Sequence, residues 1–218
     1  MKKENNSLSN IAYNYILERI NSFVYKPNDP IIENDISEAL HISRTPLREA
    51  MRQLEAEGFL IKVRNKGTFV RGYTQEDIRE NFEIRSIFEL YALQKCIEIV
   101  SPSEIKNVKE KLLALTPDSP KEAYYESDTA LHNMITTCCM NTKIQAYLNS
   151  LNAQIVLAQK ISAQTPNRLL RSKEEHLSII EAIEEGNLDV ASKRLKEHLD
   201  NVEQSYVQAF NRMRMNML

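Results

Sequence analysis

The stretch Ser43-Arg44-Thr45-Pro46-Leu47-Arg48-Glu49-Ala50-Met51-Arg52-Gln53-Leu54 combines a helix start, an apolar stripe and a cationic face. Ser43 or Thr45 is a candidate cap for the backbone N–H groups that a first helical turn leaves unpaired. Pro46 is tolerated there because its missing donor has no intrahelical partner to lose. Leu47, Ala50, Met51 and Leu54 recur at three- and four-residue spacings and predict a buried face, while Arg44, Arg48 and Arg52 recur every fourth residue on a neighbouring one. Such a helix packs by one side and offers the other to a nucleic-acid groove. Upstream, Glu33-Asn34-Asp35-Ile36-Ser37-Glu38-Ala39-Leu40 predicts a short helix with Ile36, Ala39 and Leu40 inward, joined through His41-Ile42 at helix-turn-helix spacing. Downstream, residues 59–63 and 68–71 are two short β-branched or aromatic runs around Arg64-Asn65-Lys66-Gly67, predicting a hairpin with a basic tip. Residues 8–24 predict an opening helix with Ile11, Tyr15, Ile16, Ile20, Phe23 and Val24 near one face, after which Pro27 and Pro30 break the pattern.

Ser43-Arg44-Thr45-Pro46-Leu47-Arg48-Glu49-Ala50, with Leu54-Glu55-Ala56-Glu57-Gly58-Phe59-Leu60 and Lys66-Gly67-Thr68-Phe69-Val70, resembles the winged helix-turn-helix of GntR-family bacterial transcription regulators. The resemblance spans residues 8–72. It implies DNA contacts from Ser43, Arg44, Pro46 and Arg48 in the major groove, with Lys66 and Gly67 at the wing. Thr45 and Arg52, from the same helix, complete the candidate DNA-binding set. The chain departs from the family in having His41 and Asn28 where many relatives have glycine. Asn enters the left-handed backbone more readily than His does. It also has Asn34 where some relatives carry a DNA-binding arginine.

With 218 residues there is length for two modest domains. A net charge of −2 argues against a general attraction to nucleic acid, but its distribution does not: Arg44 to Arg71 holds seven Lys/Arg and three acids, whereas residues 74–218 hold 17 bases and 21 acids. Three cysteines, Cys96, Cys138 and Cys139, fit neither a disulfide framework nor a CxxC metal site, and are expected to be buried and reduced. No apolar run follows the charges of Met1-Lys2-Lys3-Glu4, and nowhere do 18 apolar residues follow one another. Neither a signal peptide nor a membrane span is expected, which predicts a cytoplasmic protein.

Gly72-Tyr73-Thr74 closes the first unit, with Thr74 and Asp77 suggesting a capped helix start, so the domain boundary falls at about residue 73. Beyond it every segment reads as helix. Punctuation at Ser101-Pro102-Ser103-Glu104, Thr116-Pro117-Asp118-Ser119-Pro120, Asn141, Thr165-Pro166-Asn167 and Gly186-Asn187 cuts six helices of roughly 11 to 26 residues. The fold class is therefore mainly α, a winged helix-turn-helix of three helices and a short hairpin wing followed by an all-α bundle.

Polar residues stand in phase with the apolar stripes of that bundle. Asp128 and His132 lie one turn apart, on a line continued by Ile135 and Cys139. His176 is in register with Leu169, Ile180 and Ile183, and His198 with Ala191, Leu195 and Val202. A lone inward histidine is ordinarily a hydrogen-bonded core residue. Three together, with a carboxylate at i,i+4, are better explained as a site, because a divalent cation satisfies imidazoles and carboxylate at once. Zn, Ni, Fe and Mn all suit such ligands. Arg85 shares a stripe with Ile78, Phe82, Phe88 and Ala92. It either pairs with Glu89 four residues on or offers a planar fork of donors to a carboxylate ligand.

Glu83-Ile84-Arg85-Ser86-Ile87-Phe88-Glu89, Asp128-Thr129-Ala130-Leu131-His132, Glu175-His176 through Gly186-Asn187, and His198 together resemble the FCD effector-binding domain of the FadR subgroup, over residues 75–210. The resemblance implies Asp128, His132, His176 and His198 as ligands of a divalent ion, with Zn first among the candidates, and Arg85 as the clamp for a small carboxylate metabolite. It disfavours an acyl-CoA effector. The expected function is a homodimeric regulator, a repressor, that binds a near-palindromic double-stranded DNA operator under control of that metabolite. Two alternatives stand beside it: a regulator in which the ion itself is the effector, and a metalloenzyme. No HExxH, GxSxG or Gly-rich phosphate loop supports the latter.

Overall fold

The computed structural model describes residues 7–22, 24–72 and 74–215. Among them run α1 (Leu8–Asn21), β1 (Pro30–Ile31), α2 (Glu33–Leu40), α3 (Arg44–Ala56), β2 (Leu60–Val63), β3 (Gly67–Val70), α4 (Gln75–Ile99), α5 (Pro102–Leu113), α6 (Lys121–Cys138), α7 (Thr142–Ser162), α8 (Arg168–Glu184) and α9 (Leu188–Met215). The fold is mainly α, as the sequence indicates. Contacts divide it into two compact units: the described residues up to Thr74 together with Leu151–Leu157, and Gln75–Ser150 together with the described residues from Ala158 onward.

In the first unit the core gathers Ala12, Ile16 and Ile20 of α1, Ile36 of α2, Leu47, Ala50, Met51 and Leu54 of α3, and Ile31, Leu60 and Val70 of the sheet. All four apolar residues expected to face inward on α3 do so. On α1 the buried line runs through positions 12, 16 and 20, so Ile11 falls on the shoulder and is exposed; Val24 lies past the helix end and is exposed as well. Phe23 is outside the described residues. Ala39 is also exposed, contrary to expectation, while Leu40 packs partly against the core. Ser43 occupies the N-cap of α3 with extended backbone, but its side chain makes no capping hydrogen bond.

Both departures from glycine are accommodated in left-handed backbone, Asn28 at φ 72° and His41 at φ 52°. Around His41 the strain is offset by the Ile42 N–H donating to the Ser37 carbonyl at 3.1 Å and the Ser37 hydroxyl donating to the Ile42 carbonyl at 2.5 Å. The turn between the two helices is thus closed by bonds between residues 37 and 42 that do not depend on the side chain at 41.

The wing is a three-stranded antiparallel sheet of order β1-β3-β2, in which Leu60 faces Val70 and Val63 faces Gly67. Asn65 at φ 61° and Gly67 at φ 110° make its tight tip. The third strand was not expected. Pro30, read from sequence only as a break, pairs with Phe69 and Ile31 with Thr68, at an edge where a missing donor costs no ladder bond. Asn28 N–H donates to the Val70 carbonyl and Val70 N–H to the Asp29 carbonyl, each at 2.9 Å, so residues 28–31 are zipped along β3.

The second unit contains no strand among its described residues, and its six helices break where the sequence is punctuated. Ser101 and Glu104 form a capping box with Pro102 in the first turn of α5, and the Asn141 side chain accepts from the Lys143 and Ile144 N–H groups at the start of α7. Asn167 and Gly186 take left-handed backbone between helices. The last helix is 28 residues long, slightly beyond the expected range. Tyr73, placed by sequence at the boundary, is outside the described residues. The core joins Ile78, Phe82, Ala92 and Leu93 of α4, Leu131 and Ile135 of α6, Ile179, Ile180 and Ile183 of α8, and Ala191, Leu195 and Val202 of α9. Of the cysteines, all free, only Cys96 is buried. Cys138 and Cys139 are half-buried, because they end α6 where it leaves the core. No helix of the described residues is long and apolar enough to cross a membrane.

Leu54→Ala should destabilise the first unit by about 2–5 kcal/mol, since it empties a fully buried position, whereas Ile87→Ala on an exposed face of α4 should change stability by less than about 0.5 kcal/mol. Urea unfolding followed by circular dichroism measures both.

Candidate metal centre and reading surface

Asp128 and His132 come from α6, His176 from α8 and His198 from α9, and all four are buried. Each offers one ligand atom, and these atoms lie within 4.8 Å of one another. The Asp128 Oδ1 oxygen stands 3.3 Å from His176 Nε2 and 3.8 Å from His132 Nε2; His176 and His198 bring their Nε2 atoms to 3.1 Å. Ring centroids of these two imidazoles are 4.3 Å apart, with His132 at 5.3 Å from His198.

What aims these nitrogens is an outer set of partners. Glu89 of α4 accepts from His132 Nδ1 at 2.5 Å, and Glu175 of α8 accepts from His198 Nδ1 at 2.7 Å. Because a carboxylate only accepts, each of these Nδ1 atoms carries a proton and each ring turns its Nε2 edge to the centre. Gln159 donates to Asp128 Oδ2 and holds the other end of that carboxylate. Glu175 is itself gripped by both terminal nitrogens of Arg168, at 2.9 and 2.8 Å, and by Asn201 at 3.0 Å.

Electrostatics favour the neutral forms of His176 and His198 and the ionised carboxylates. Burial, followed by the neighbouring His176, pushes His198 down to about 3, and burial lowers His176 too, against the pull of Asp128. Burial by itself would raise Glu89, but Arg85 and then His132 outweigh it and hold the carboxyl at about 2. Glu175 is likewise held at about 2, burial being overcome by His198 and Arg168. For Asp128 burial is overcome by His132, His176 and Arg85, leaving it well below the usual carboxylate range. Neutral imidazole and ionised carboxylate are the states in which a metal ion is bound.

Arg85 takes up the pairing with Glu89, the first of its two sequence readings. Its Nε donates to Glu89 Oε1 at 2.5 Å, an ion pair with both side chains 3% exposed, yet its Nη1 has no partner. The other buried side-chain nitrogen or oxygen without a partner, among the described residues, is His132 Nε2. The residues present therefore fit a divalent ion: one imidazole nitrogen at the centre is orphaned, and it lies among four ligand atoms within 4.8 Å of one another. A cavity of about 30 Å³ opens beside Asp128 and His176, lined also by Gln159, Arg168 and Lys173; Arg85 is not part of that lining.

Sequence reasoning singled out the four inward polar residues and Arg85 but missed Gln159, Arg168 and the bracing role of Glu175. Glu89 was visible only as a possible partner of Arg85. Its second partner lies 43 residues away on another helix, and no periodicity reports that.

On α3, Ser43, Arg44, Thr45, Arg48 and Arg52 are exposed and Pro46 is half-buried; Lys66 and Gly67 are exposed at the wing tip. Two of the arginines are tethered to the start of α2: Arg44 donates to Asn34 Oδ1 at 2.8 Å and Arg48 Nε to Glu33 Oε2 at 2.9 Å. Asn34, standing where some relatives have arginine, thus orients one.

The sequence matches the FCD domain over residues 80–201 and the gntR family of bacterial regulatory proteins over residues 8–70. It is 27% identical to the Nta operon transcriptional regulator of Aminobacter aminovorans, covering 83% of this chain and 88% of that protein. It is 24% identical to the HTH-type transcriptional repressor RspR of Escherichia coli strain K12, covering 82% and 80%. Among solved structures, the Zn2+-bound FCD domain of TM0439 superposes with a TM-score of 0.57 at 26% identity, covering 64% of this chain and 97% of that one. An exposed arginine helix beside a wing, joined in one chain to a helical unit of this family, identifies the protein as a member of the GntR family with an FCD domain, a DNA-binding transcription regulator and not an enzyme.

Proposed function

We propose that the protein is a homodimeric repressor whose helical half, from about residue 74, binds a divalent metal ion through Asp128, His132, His176 and His198 and senses a small carboxylate metabolite there. The observation that carries this reading is the convergence of four buried ligand atoms within 4.8 Å, with His132 Nε2 and Arg85 Nη1 left without partners. The ion would act as a Lewis acid that holds one carboxylate oxygen. Arg85 would donate through Nη1 to the same carboxylate, which a guanidinium fork recognises by shape as well as charge. Zn fits three imidazoles and one carboxylate, and the Zn2+-bound FCD domain of TM0439 supports the choice. Relatives named as repressors support the sign of control.

In the reading half, residues 1–73, Ser43, Arg44, Thr45, Pro46, Arg48 and Arg52 would enter the major groove and Lys66 and Gly67 the adjacent minor groove. Two such heads in a dimer would occupy the half-sites of a near-palindromic operator. Control requires that the acid bind one arrangement of the heads better than the other, by about 1–3 kcal/mol for an ordinary linkage.

Arg44→Ala combined with Arg48→Ala should abolish binding to an operator selected from random-sequence DNA while dimer mass and helicity stay unchanged; retained binding would refute the assignment of the head. His132→Ala combined with His176→Ala should empty the protein of metal by elemental analysis, and unchanged content would reject the ligand set. Arg85→Ala should weaken release from DNA by the acid by about 10-fold or more with DNA affinity itself preserved, the size expected for losing a charged hydrogen bond. Release by metal without any acid would favour the ion as effector.

A further inference from the structure

The two orphaned nitrogens have a common cause. Arg85 and His132 stand on different helices, 47 residues apart in sequence, yet both are held by Glu89, one by each oxygen, at 2.5 Å. Glu89 is 2% exposed and both its oxygens are engaged, so it has nothing further to accept from outside. By taking the Nε edge of the guanidinium it leaves Nη1 free; by taking Nδ1 of the imidazole it leaves Nε2 free. We propose that Glu89 is a positioning residue that couples cation and anion at this centre, so that each binds tightly only when the other is present. This rests on the function proposed above and goes beyond it.

The charged groups at the centre give the sign of the coupling. Two carboxylates, Asp128 and Glu89, stand by one guanidinium, Arg85, while Glu175 is taken up by Arg168 in a bidentate pair. Two carboxylates in a medium where like charges repel strongly resist a further anion. A divalent cation offsets them and leaves the charge of the guanidinium for an incoming carboxylate to match. The same reasoning runs in reverse: the bound acid removes the excess positive charge that the ion leaves buried. Glu89 transmits the effect locally. Charge withdrawn from the His132 ring at Nε2 makes Nδ1–H a stronger donor, draws the carboxylate towards histidine, and frees the guanidinium for an incoming acceptor. A glutamine at this position has one acceptor oxygen and one donating amide, and cannot accept from both residues.

The test uses the full chain stripped of metal, with Zn2+, acetate and lactate as probes. Zinc affinity is measured by competition with a chromophoric chelator, with and without saturating acid, and acid affinity by calorimetry with and without zinc. In the wild-type protein either acid should tighten zinc binding by about 5-fold or more, and zinc should tighten that acid by the same factor, as linkage requires. Glu89→Gln should weaken zinc binding by about 10–100-fold and abolish the mutual dependence while helicity is preserved. Zinc affinity that neither acid alters, or a Glu89→Gln protein with zinc affinity and coupling intact, would overturn the proposal and leave the metal-binding reading standing. A wild-type chain that takes up no zinc would overturn both. If Glu89→Gln fails to fold, Glu89→Asp takes its place: its shorter arm cannot accept from Arg85 and His132 together, the same loss of zinc affinity and coupling is expected, and intact coupling would overturn the proposal.

Discussion

Glu89, 2% exposed, is the one carboxylate that accepts from both the buried Arg85 guanidinium and the buried His132 imidazole. Removing one partner from such a group leaves a buried charge uncompensated, at a cost of about 3–5 kcal/mol. That constraint fixes the relation of α4 to α6 at the level of single atoms. The Arg168–Glu175–His198 chain does the same for α8 and α9. Apolar stripes alone would let these helices rotate or slide by a fraction of a turn with little loss. The polar network permits one register, and that register is the one in which three imidazoles and a carboxylate meet.

The same arrangement explains why so much ionisable surface is tolerated inside a bundle of this size. Arg85 faces Glu89 and Arg168 faces Glu175 directly, the Asp128 carboxylate accepts from Gln159, and burial holds His198 below its ordinary value. What is left over among the described residues is confined to two nitrogens, His132 Nε2 and Arg85 Nη1. In a molecule otherwise careful to satisfy its interior, leftover hydrogen-bonding capacity is a sign that something else belongs there.

Much of this was legible in the sequence because it is local. The helix from Arg44, the turn signals of the bundle and the inward phase of Asp128, His132, His176 and His198 follow from spacings of two to four residues along one element. The misses are of another kind. A two-residue strand at Pro30 is too short to show alternation, and its existence depends on a partner, Phe69, 39 residues later. Ala39 and Ile11 lie within the angular width of a stripe, and only the curvature of the actual neighbours decides which edge is wet. Gln159 and Arg168 act through residues on other helices, and nothing in their own surroundings announces it. The chemistry of the centre could be guessed from composition and phase, whereas the scaffold that orients it required coordinates.

The pairing of residues 28–31 with β3 has a mechanical side. Because the segment that leads into α2 is stitched to the same strand that carries the wing tip, hinge motion between the wing and the first half of the helix-turn-helix has no flexible joint to use. The span from the tip at Gly67 to the N-terminus of α3 behaves as a fixed gauge. A duplex read by the proposed contacts of α3 and the wing would have to fit it through its own bending and groove width, which would delegate part of sequence choice to the stiffness of the DNA.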